Sequence, residues 1–169
     1  MRTLIKHGLI VDGNKTPAYE GDILIENEKI LKISQDLNEE ADKVIDAKGR
    51  VICPGFIDTH SHSDLVILVN PYNEVKIRQG ITTEVLGQDG ISMAPLPQEH
   101  ISSWRKNLAG LDGESDEIDW KYETTENYLK MMDYNGVGLN ETYLVPHGNV
   151  RMEAMGLEDR PATKEEIQK

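Results

Sequence analysis

The fold is decided by residues 51–64, which read VICPGFIDTHSHSD. An apolar run ends at Asp58 and is followed by His60-x-His62, which predicts a buried strand with two histidines at its C-terminal end. Alternate residues of a strand point to one face, so both imidazoles should converge, with Asp58 on the same side and Asp64 just beyond. Two imidazoles on one face can form half of a divalent-metal site. Two half-exposed polar histidines are the alternative.

The next segment alternates between helix and strand signals. Residues 70–79 have a proline near the start and a glycine just after the end, which predicts a helix. Residues 81–86 are β-branched and predict a strand. Strand, helix and strand form a right-handed crossover with parallel strands, whose C-terminal ends carry the active site in a barrel. Asp89 follows this strand and is a candidate site residue, with a plain Asp-Gly turn as the alternative.

A third strand is predicted at residues 141–145, and two further candidates follow it. His147 should reach the same end of the sheet as His60, which favours a role in facing substrate or in supporting a ligand. A structural histidine bonded to a neighbouring loop is equally open. Arg151 could clamp a substrate carboxylate through its bidentate fork, or it could pair with the acidic surface.

Three motifs resemble those of known enzymes. PGFIDTHSH at 54–62 closely resembles the first barrel strand of the amidohydrolase superfamily. GQDGISMAP at 87–95 and PHGNVR at 146–151 resemble the second-strand and third-strand motifs of one of its families, the N-acyl-D-amino-acid deacylases or D-aminoacylases. Together these motifs extend over nearly the whole chain.

The resemblance implies an α/β fold: the start of an amidohydrolase-type (β/α)8 TIM barrel, preceded by part of a small β-sandwich. Residues 1–53 would be the N-terminal part of the sandwich domain, and residues 54–169 would be the first strands and helices of the barrel. A closed barrel typically needs about 250 residues. We therefore expect the barrel to continue beyond residue 169, and the remainder of the chain, or other copies, to be needed for a complete fold. A capping-box pattern at Thr163–Glu166 predicts another helix starting there.

The resemblance also implies a metal-dependent hydrolase that cleaves the amide of small N-acyl-D-amino acids. His60 and His62 would bind a divalent metal, most often zinc. Asp89 stands where the family has a metal-binding cysteine; a carboxylate can bind zinc, but it is a harder ligand and could relax the preference for zinc. The family's other two histidine ligands and its proton-shuttling aspartate would lie beyond residue 169, so we expect these 169 residues alone to be inactive.

Two other functions remain open. A cyclic-amide hydrolase of the dihydroorotase or hydantoinase type shares the first-strand motif, but it would normally show a carboxylated lysine further along. A non-catalytic scaffold of the same fold would be favoured by loss of His60 or His62, and both are present.

The composition of the chain limits the classes of binding partner and the cellular locations that we expect. The formal net charge is -12, which argues against nucleic acid and anionic membranes. No apolar run approaches the roughly 20 residues of a membrane span. The single cysteine, Cys53, suits a reducing compartment, so a cytoplasmic location is the default expectation, with Cys53 as an inert buried thiol.

The region between the second and third motifs gives weaker signals. Helices are predicted at 98–108, with Ile101, Trp104 and Leu108 in the core, and at 124–134, with Tyr128, Leu129 and Met132 inward. The acidic loop between them, residues 112–119, is interpreted as a solvated face, with a lid as the alternative.

Overall fold

The computed structural model describes residues 1–169, which form two compact units, Met1–Pro54 and Gly55–Lys169. This boundary falls one residue beyond the predicted one. The chain is a mixed α/β structure. None of its helices combines the length and the apolar character that a membrane crossing requires.

The first unit is a five-stranded sheet in the order β3-β2-β1-β4, with β5 also paired to β1. Its strands are β1 (Arg2–Ile10), β2 (Tyr19–Glu26), β3 (Lys29–Ser34), β4 (Lys43–Asp46) and β5 (Val51–Ile52). β2 is antiparallel to β1 and β3, whereas β4 and β5 are parallel to β1. The β2–β3 hairpin turns at Asn27, which has a φ of 55°, a left-handed conformation that asparagine tolerates better than most residues.

A buried aspartate ties this sheet to the segment after β3. Asp22 is 1% exposed, and its two oxygens accept hydrogen bonds from the backbone N–H groups of His7 at 2.8 Å and Leu37 at 2.9 Å. Leu37 packs with Leu4 and Leu24 in the core of the unit. Burial alone raises the pKa of Asp22, but the two N–H donors and nearby positive charge outweigh burial, and the pKa is lowered.

The second unit contains a three-stranded parallel sheet in the order β6-β7-β8. Its elements are β6 (Phe56–Asp58), α1 (Val66–Val69), α2 (Glu74–Ile77), β7 (Ile81–Leu86), α3 (Ile101–Leu108), α4 (Thr125–Asn135), β8 (Asn140–Tyr143), α5 (His147–Met155) and α6 (Lys164–Ile167). The predicted parallel strands and the capping box at the start of α6 are confirmed. Parallel pairing brings the C-terminal ends of β6, β7 and β8 to one edge of the sheet.

The core of the second unit is built from side chains of α1, β7, α3, α4 and α5. Trp104 and Leu108 of α3 are buried, as are Tyr128 and Met132 of α4, and each pair has the spacing of one helix face. The hydroxyl of Tyr128 donates to the backbone oxygen of Asp64 at 2.7 Å. Packing of α4 therefore fixes the backbone close to the predicted histidine pair.

Several local predictions are wrong. The strand expected to run buried through 51–58 is split into β5 and β6, and Phe56 and Ile57 are 58% and 63% exposed because neighbouring elements leave both faces of β6 largely uncovered. Cys53 is exposed because it lies in the link between these strands. Leu129 is 38% exposed because it lies off the helix face that Tyr128 buries. The helix expected over 70–79 shortens to α2.

We expect Asp22→Ala to lower the free energy of unfolding by about 3 kcal/mol, because it leaves two backbone N–H groups without an acceptor in a buried position. The exposed Glu20→Ala on the same strand should change it by less than about 0.5 kcal/mol. Because the pKa of Asp22 is lowered in the folded state, the difference from wild type should be full above pH about 4 and shrink as the pH falls below it. Urea unfolding of both variants at several pH values measures these free energies and their pH dependence. Equal effects of Asp22→Ala and Glu20→Ala would contradict the stabilising role of Asp22.

Candidate metal centre

The first part of the site is the segment that follows β6. His60 and His62 lie in irregular backbone beyond the strand, not on the strand as predicted. The segment is held against β7, because the N–H of Ser61 donates to the oxygen of Val85 at 3.2 Å. The two imidazole centroids are 5.4 Å apart. The imidazoles therefore lie close together although the strand has already ended.

Asp89 faces both imidazoles. Its Oδ2 atom is 3.2 Å from Nε2 of His60 and 3.1 Å from Nε2 of His62. Asp89 lies in the middle of a 3-10 turn, Gln88–Gly90, with φ 55° and ψ 17°. This left-handed conformation costs roughly 1–2 kcal/mol for most residues other than glycine, although aspartate adopts it more readily than most. Backbone strain at a residue whose side chain faces two histidines is typical of functional sites.

These three side chains fit a divalent metal ion. One ligand atom from each lies within 4.8 Å of the other two. Bonds of about 2.1 Å to a tetrahedral zinc ion separate neighbouring ligand atoms by about 3.4 Å, which is close to the contacts in this structure. Hydrogen bonds with the two histidines hold the pKa of Asp89 below its usual value, and the bond with His60 has the larger effect. The arrangement offers two nitrogen ligands and one anionic oxygen ligand.

There is no room for a side chain at Gly87, the residue that precedes the turn Gln88–Gly90. Gly87 has a φ of 73°, and a Cβ atom there would lie 2.0 Å from the backbone oxygen of Leu144, just after β8. The N–H of Gly87 donates to Oδ1 of the buried Asp64 at 3.0 Å. The close approach of three chain segments therefore fixes the position of the turn.

Asn149 on α5 holds the segment after the turn. This fully buried side chain accepts from the N–H of Ser92 at 3.1 Å and donates to the backbone oxygens of Ser92 and Pro95, both at 2.9 Å. The neighbouring Gly148 packs so tightly that a Cβ atom on it would lie 2.6 Å from the oxygen of Gly90. The start of α5 is thus packed directly against the turn.

The two predicted substrate residues have different surroundings. His147 is the exposed first residue of α5. It lies next to Gly90, because a Cβ atom added to Gly90 would be 3.8 Å from the Cβ atom of His147. Arg151 donates from Nη2 to the backbone oxygens of Glu158 at 3.0 Å and Arg160 at 2.7 Å. His147 therefore lies beside the 3-10 turn, whereas the guanidinium of Arg151 bonds the backbone of the connection between α5 and α6. Both substrate roles stay predictions.

The interpretation of residues 112–119 as a solvated face is wrong for Asp112. Its side chain is fully buried, and its Oδ1 lies 3.4 Å from Nδ1 of His62. Burial raises the pKa of Asp112 to about 7, the charge of Asp64 adds to this rise, and His62 opposes it. The N–H of Asp112 donates to the oxygen of Leu108, so the chain just after α3 delivers the residue. No motif distinguishes it in the sequence from the exposed acids nearby.

A separate row of carboxylates crosses the sheet. Asp58, Glu84 and Glu141 are register partners on β6, β7 and β8. Lys76 bonds Asp58 and lies 3.4 Å from Glu84, so Asp58 belongs to this row and not to the histidine group. Burial raises the pKa of Glu141 to about 8, and the neighbouring Glu84 adds to the rise. Sequence reasoning missed this row, because its members are brought together only by the register of the strands.

Comparison with known proteins identifies the family. The profile of the amidohydrolase family matches residues 43–168, which is most of the chain. The chain belongs to the amidohydrolase family. The resemblance found in the three sequence motifs is thereby confirmed.

Several individual relatives of this chain are deacylases. A D-aminoacylase of Alcaligenes xylosoxydans xylosoxydans is 32% identical over 164 residues, which cover 97% of this chain and 33% of the relative. An N-acyl-D-glutamate deacylase of the same organism is 35% identical over 152 residues, covering 90% and 30%. The crystal structure of an N-acyl-D-glutamate deacylase from Bordetella bronchiseptica, complexed with zinc and a phosphonate inhibitor that mimics the tetrahedral intermediate, has a TM-score of 0.87 at 32% identity and covers 98% of this chain and 34% of that one.

The chain thus spans about a third of the length of these relatives. We use the term full-length protein for one that carries this chain together with the remaining length that such relatives have.

We expect Gly87→Ala to lower both stability and metal affinity in the full-length protein, because the added Cβ must displace Leu144 or the turn that carries Asp89. Gly49→Ala is the control: Gly49 also has a positive φ, of 76°, but nothing lies within 4 Å of its Cβ position. The control should lose about 1–2 kcal/mol of stability and keep its metal affinity, whereas Gly87→Ala should lose about 3 kcal/mol or more. Thermal unfolding and zinc titration provide the measurements, and equal losses would argue against the close contact.

Proposed function

We propose that the full-length protein is a metal-dependent hydrolase that cleaves the amide bond of N-acyl-D-amino acids, with release of a carboxylate and a free D-amino acid. The observation that carries this proposal is the convergence of His60, His62 and Asp89 with metal-compatible spacing. The similarity of nearly the whole chain to D-amino-acid deacylases supports this substrate class over the cyclic amides and over a non-catalytic scaffold.

The proposed architecture of the full-length protein is a (β/α)8 barrel together with a β-sandwich domain. The parallel order β6-β7-β8, with helices between the strands, supports the assignment of the second unit to the start of the barrel. The separate sheet of the first unit supports its assignment to part of the sandwich. Both units have edge strands, which the remaining length would cover in such an architecture.

The proposed metal ligands are His60 and His62 through Nε2 and Asp89 through a carboxylate oxygen, with zinc as the first candidate. A bound divalent ion supplies a Lewis acid for the scissile carbonyl and activates water near neutral pH. In the net reaction the C–N bond breaks, the water oxygen joins the acyl carbon, and a proton passes to the leaving amine. The resemblance assigns the proton shuttle to an aspartate outside these 169 residues.

In this proposal the residues of this chain bind the metal and orient the substrate. For metal binding both histidines must present a neutral imidazole with a free Nε2 lone pair, and Asp89 must stay charged. His147, exposed beside the 3-10 turn, is the proposed substrate contact. Arg151 would first have to leave the two backbone oxygens it bonds, so its proposed substrate role requires a rearrangement of the connection after α5.

The first test removes both imidazoles. In the full-length protein we expect His60→Asn with His62→Asn to lower bound metal and deacylase activity together, because two of the proposed ligands are lost. His7→Asn, a histidine in the first unit, should leave both unchanged. Elemental analysis and turnover of N-acetyl-D-amino acids, with their L-enantiomers and a hydantoin as comparison substrates, give the results. An unchanged metal content in the double variant would refute the ligand assignment, and faster turnover of the hydantoin would favour the cyclic-amide alternative.

The second test concerns the oxygen ligand. We expect Asp89→Cys to retain metal and to prefer zinc more strongly over manganese, because a thiolate is the softer donor. Asp89→Ala should bind metal at least about tenfold more weakly and lose activity, since it removes a direct ligand. Asp89→Asn keeps the left-handed turn but loses the charge, so it separates a ligand from a turn residue. Metal affinities and rates like those of wild type in both Asp89→Ala and Asp89→Asn would remove Asp89 from the site.

A further inference from the structure

The two nitrogens of the His62 imidazole have different partners. Nε2 lies 3.1 Å from Asp89, on the side of the proposed metal, whereas Nδ1 lies 3.4 Å from Oδ1 of Asp112. The side chain of His62 is only 17% exposed, compared with 58% for His60. His62 is therefore the more enclosed of the two proposed histidine ligands, and the orientation of its ring depends on the groups that surround Nδ1.

Asp112 has no other partner for its carboxylate. Its side chain is fully buried, and neither of its oxygens has a hydrogen-bond donor; Nδ1 of His62 is also buried without a partner. Polar groups buried in this way are costly unless they pair with each other. The contact between them needs only a few tenths of an ångström of closure to reach the usual hydrogen-bond length.

Asp64 adds a second carboxylate to the same pocket. Its Oδ1 accepts hydrogen bonds from the backbone of Gly87 and the hydroxyl of Ser92, while its Oδ2 has no donor. One atom from each of His62, Asp64 and Asp112 lies within 4.8 Å of the other two. The acceptor beside Nδ1, Oδ1 of Asp112, suits the tautomer that carries the imidazole proton there and leaves the Nε2 lone pair free for a metal.

The same three residues could instead hold a cation of their own. A cation on Nδ1 would take the only lone pair of a neutral imidazole, so the proton would move to Nε2, and His62 could not bind a metal on the Asp89 side. The two arrangements are mutually exclusive. A metal shared with His60 and Asp89 takes the Nε2 lone pair of His62, and it therefore requires the proton on Nδ1.

We propose that Asp112 is a positioning residue for His62: its buried carboxylate accepts a hydrogen bond from Nδ1–H and thereby directs Nε2 at the metal held with His60 and Asp89. This inference rests on the proposed function for the presence of that metal. It assigns a task to the loop after α3, which contains none of the three sequence motifs. Carboxylates that bond a metal-binding histidine from behind raise its basicity and fix its ring.

The experiment compares Asp112→Asn and Asp112→Ala with the exposed Asp116→Ala in the full-length protein. We expect zinc affinity, measured by competition with a chromophoric chelator, to fall about 10-fold to 100-fold in Asp112→Ala and less in Asp112→Asn, which keeps a neutral acceptor. Asp116→Ala should match wild type, because the Asp116 side chain is 94% exposed. Asp112→Asn preserves the shape of the side chain, so it remains informative if the alanine variant folds poorly.

A second readout is the His62 Nδ1–H in the zinc-loaded protein, observed through imidazole NMR. We expect a hydrogen-bonded Nδ1–H that exchanges slowly with water in wild type and one that exchanges faster in Asp112→Ala. Wild-type zinc affinity and an unchanged Nδ1–H signal in both Asp112 variants would overturn the proposal. A second bound ion that only the Asp112 variants lose would also overturn it, in favour of a separate cation site. Neither readout uses a substrate, so failure of the deacylase assignment would be seen separately in the turnover assays.

Discussion

The candidate site depends on the close packing of the 3-10 turn after β7. Gly87 touches the backbone that follows β8, and Gly148 at the start of α5 touches Gly90, so the turn is enclosed by its neighbours on both sides. This packing restrains the turn and thereby supports the left-handed backbone at Asp89. As a consequence, one carboxylate oxygen reaches two histidines that come from a different strand connection.

The interior behind this turn contains an unusual number of acidic groups. Asp64, Glu84 and Asp112 are buried, and Glu141 is partly buried with a pKa raised to about 8. Hydrogen bonds from Ser61, Ser63 and Asn73 and an ion pair with Lys76 satisfy Glu84. The carboxylate of Asp112, by contrast, lies near only one possible donor, the His62 imidazole. A positive ion on the other side of that imidazole would strengthen the Nδ1–H donor, so the metal and the buried carboxylate would stabilise each other.

The sequence contained enough information to predict the parallel strands and the closeness of His60, His62 and Asp89, because these follow from local patterns and from motifs that lie at strand ends. It could not reveal Asp112, since burial of one acid among several in a loop is decided by how that loop packs. The exposure of Phe56 and Cys53 was missed for a related reason: an apolar run predicts a strand, but whether its faces are covered depends on neighbours that a local pattern does not specify.

The most direct test of the metal centre is anomalous diffraction from crystals of the full-length protein grown with zinc. We expect an anomalous peak bonded to Nε2 of His60, Nε2 of His62 and a carboxylate oxygen of Asp89, each at about 2.0–2.2 Å. A peak that lies away from these atoms, or an Asp89 side chain that points away from the bound ion, would contradict the central claim that this turn supplies a metal ligand.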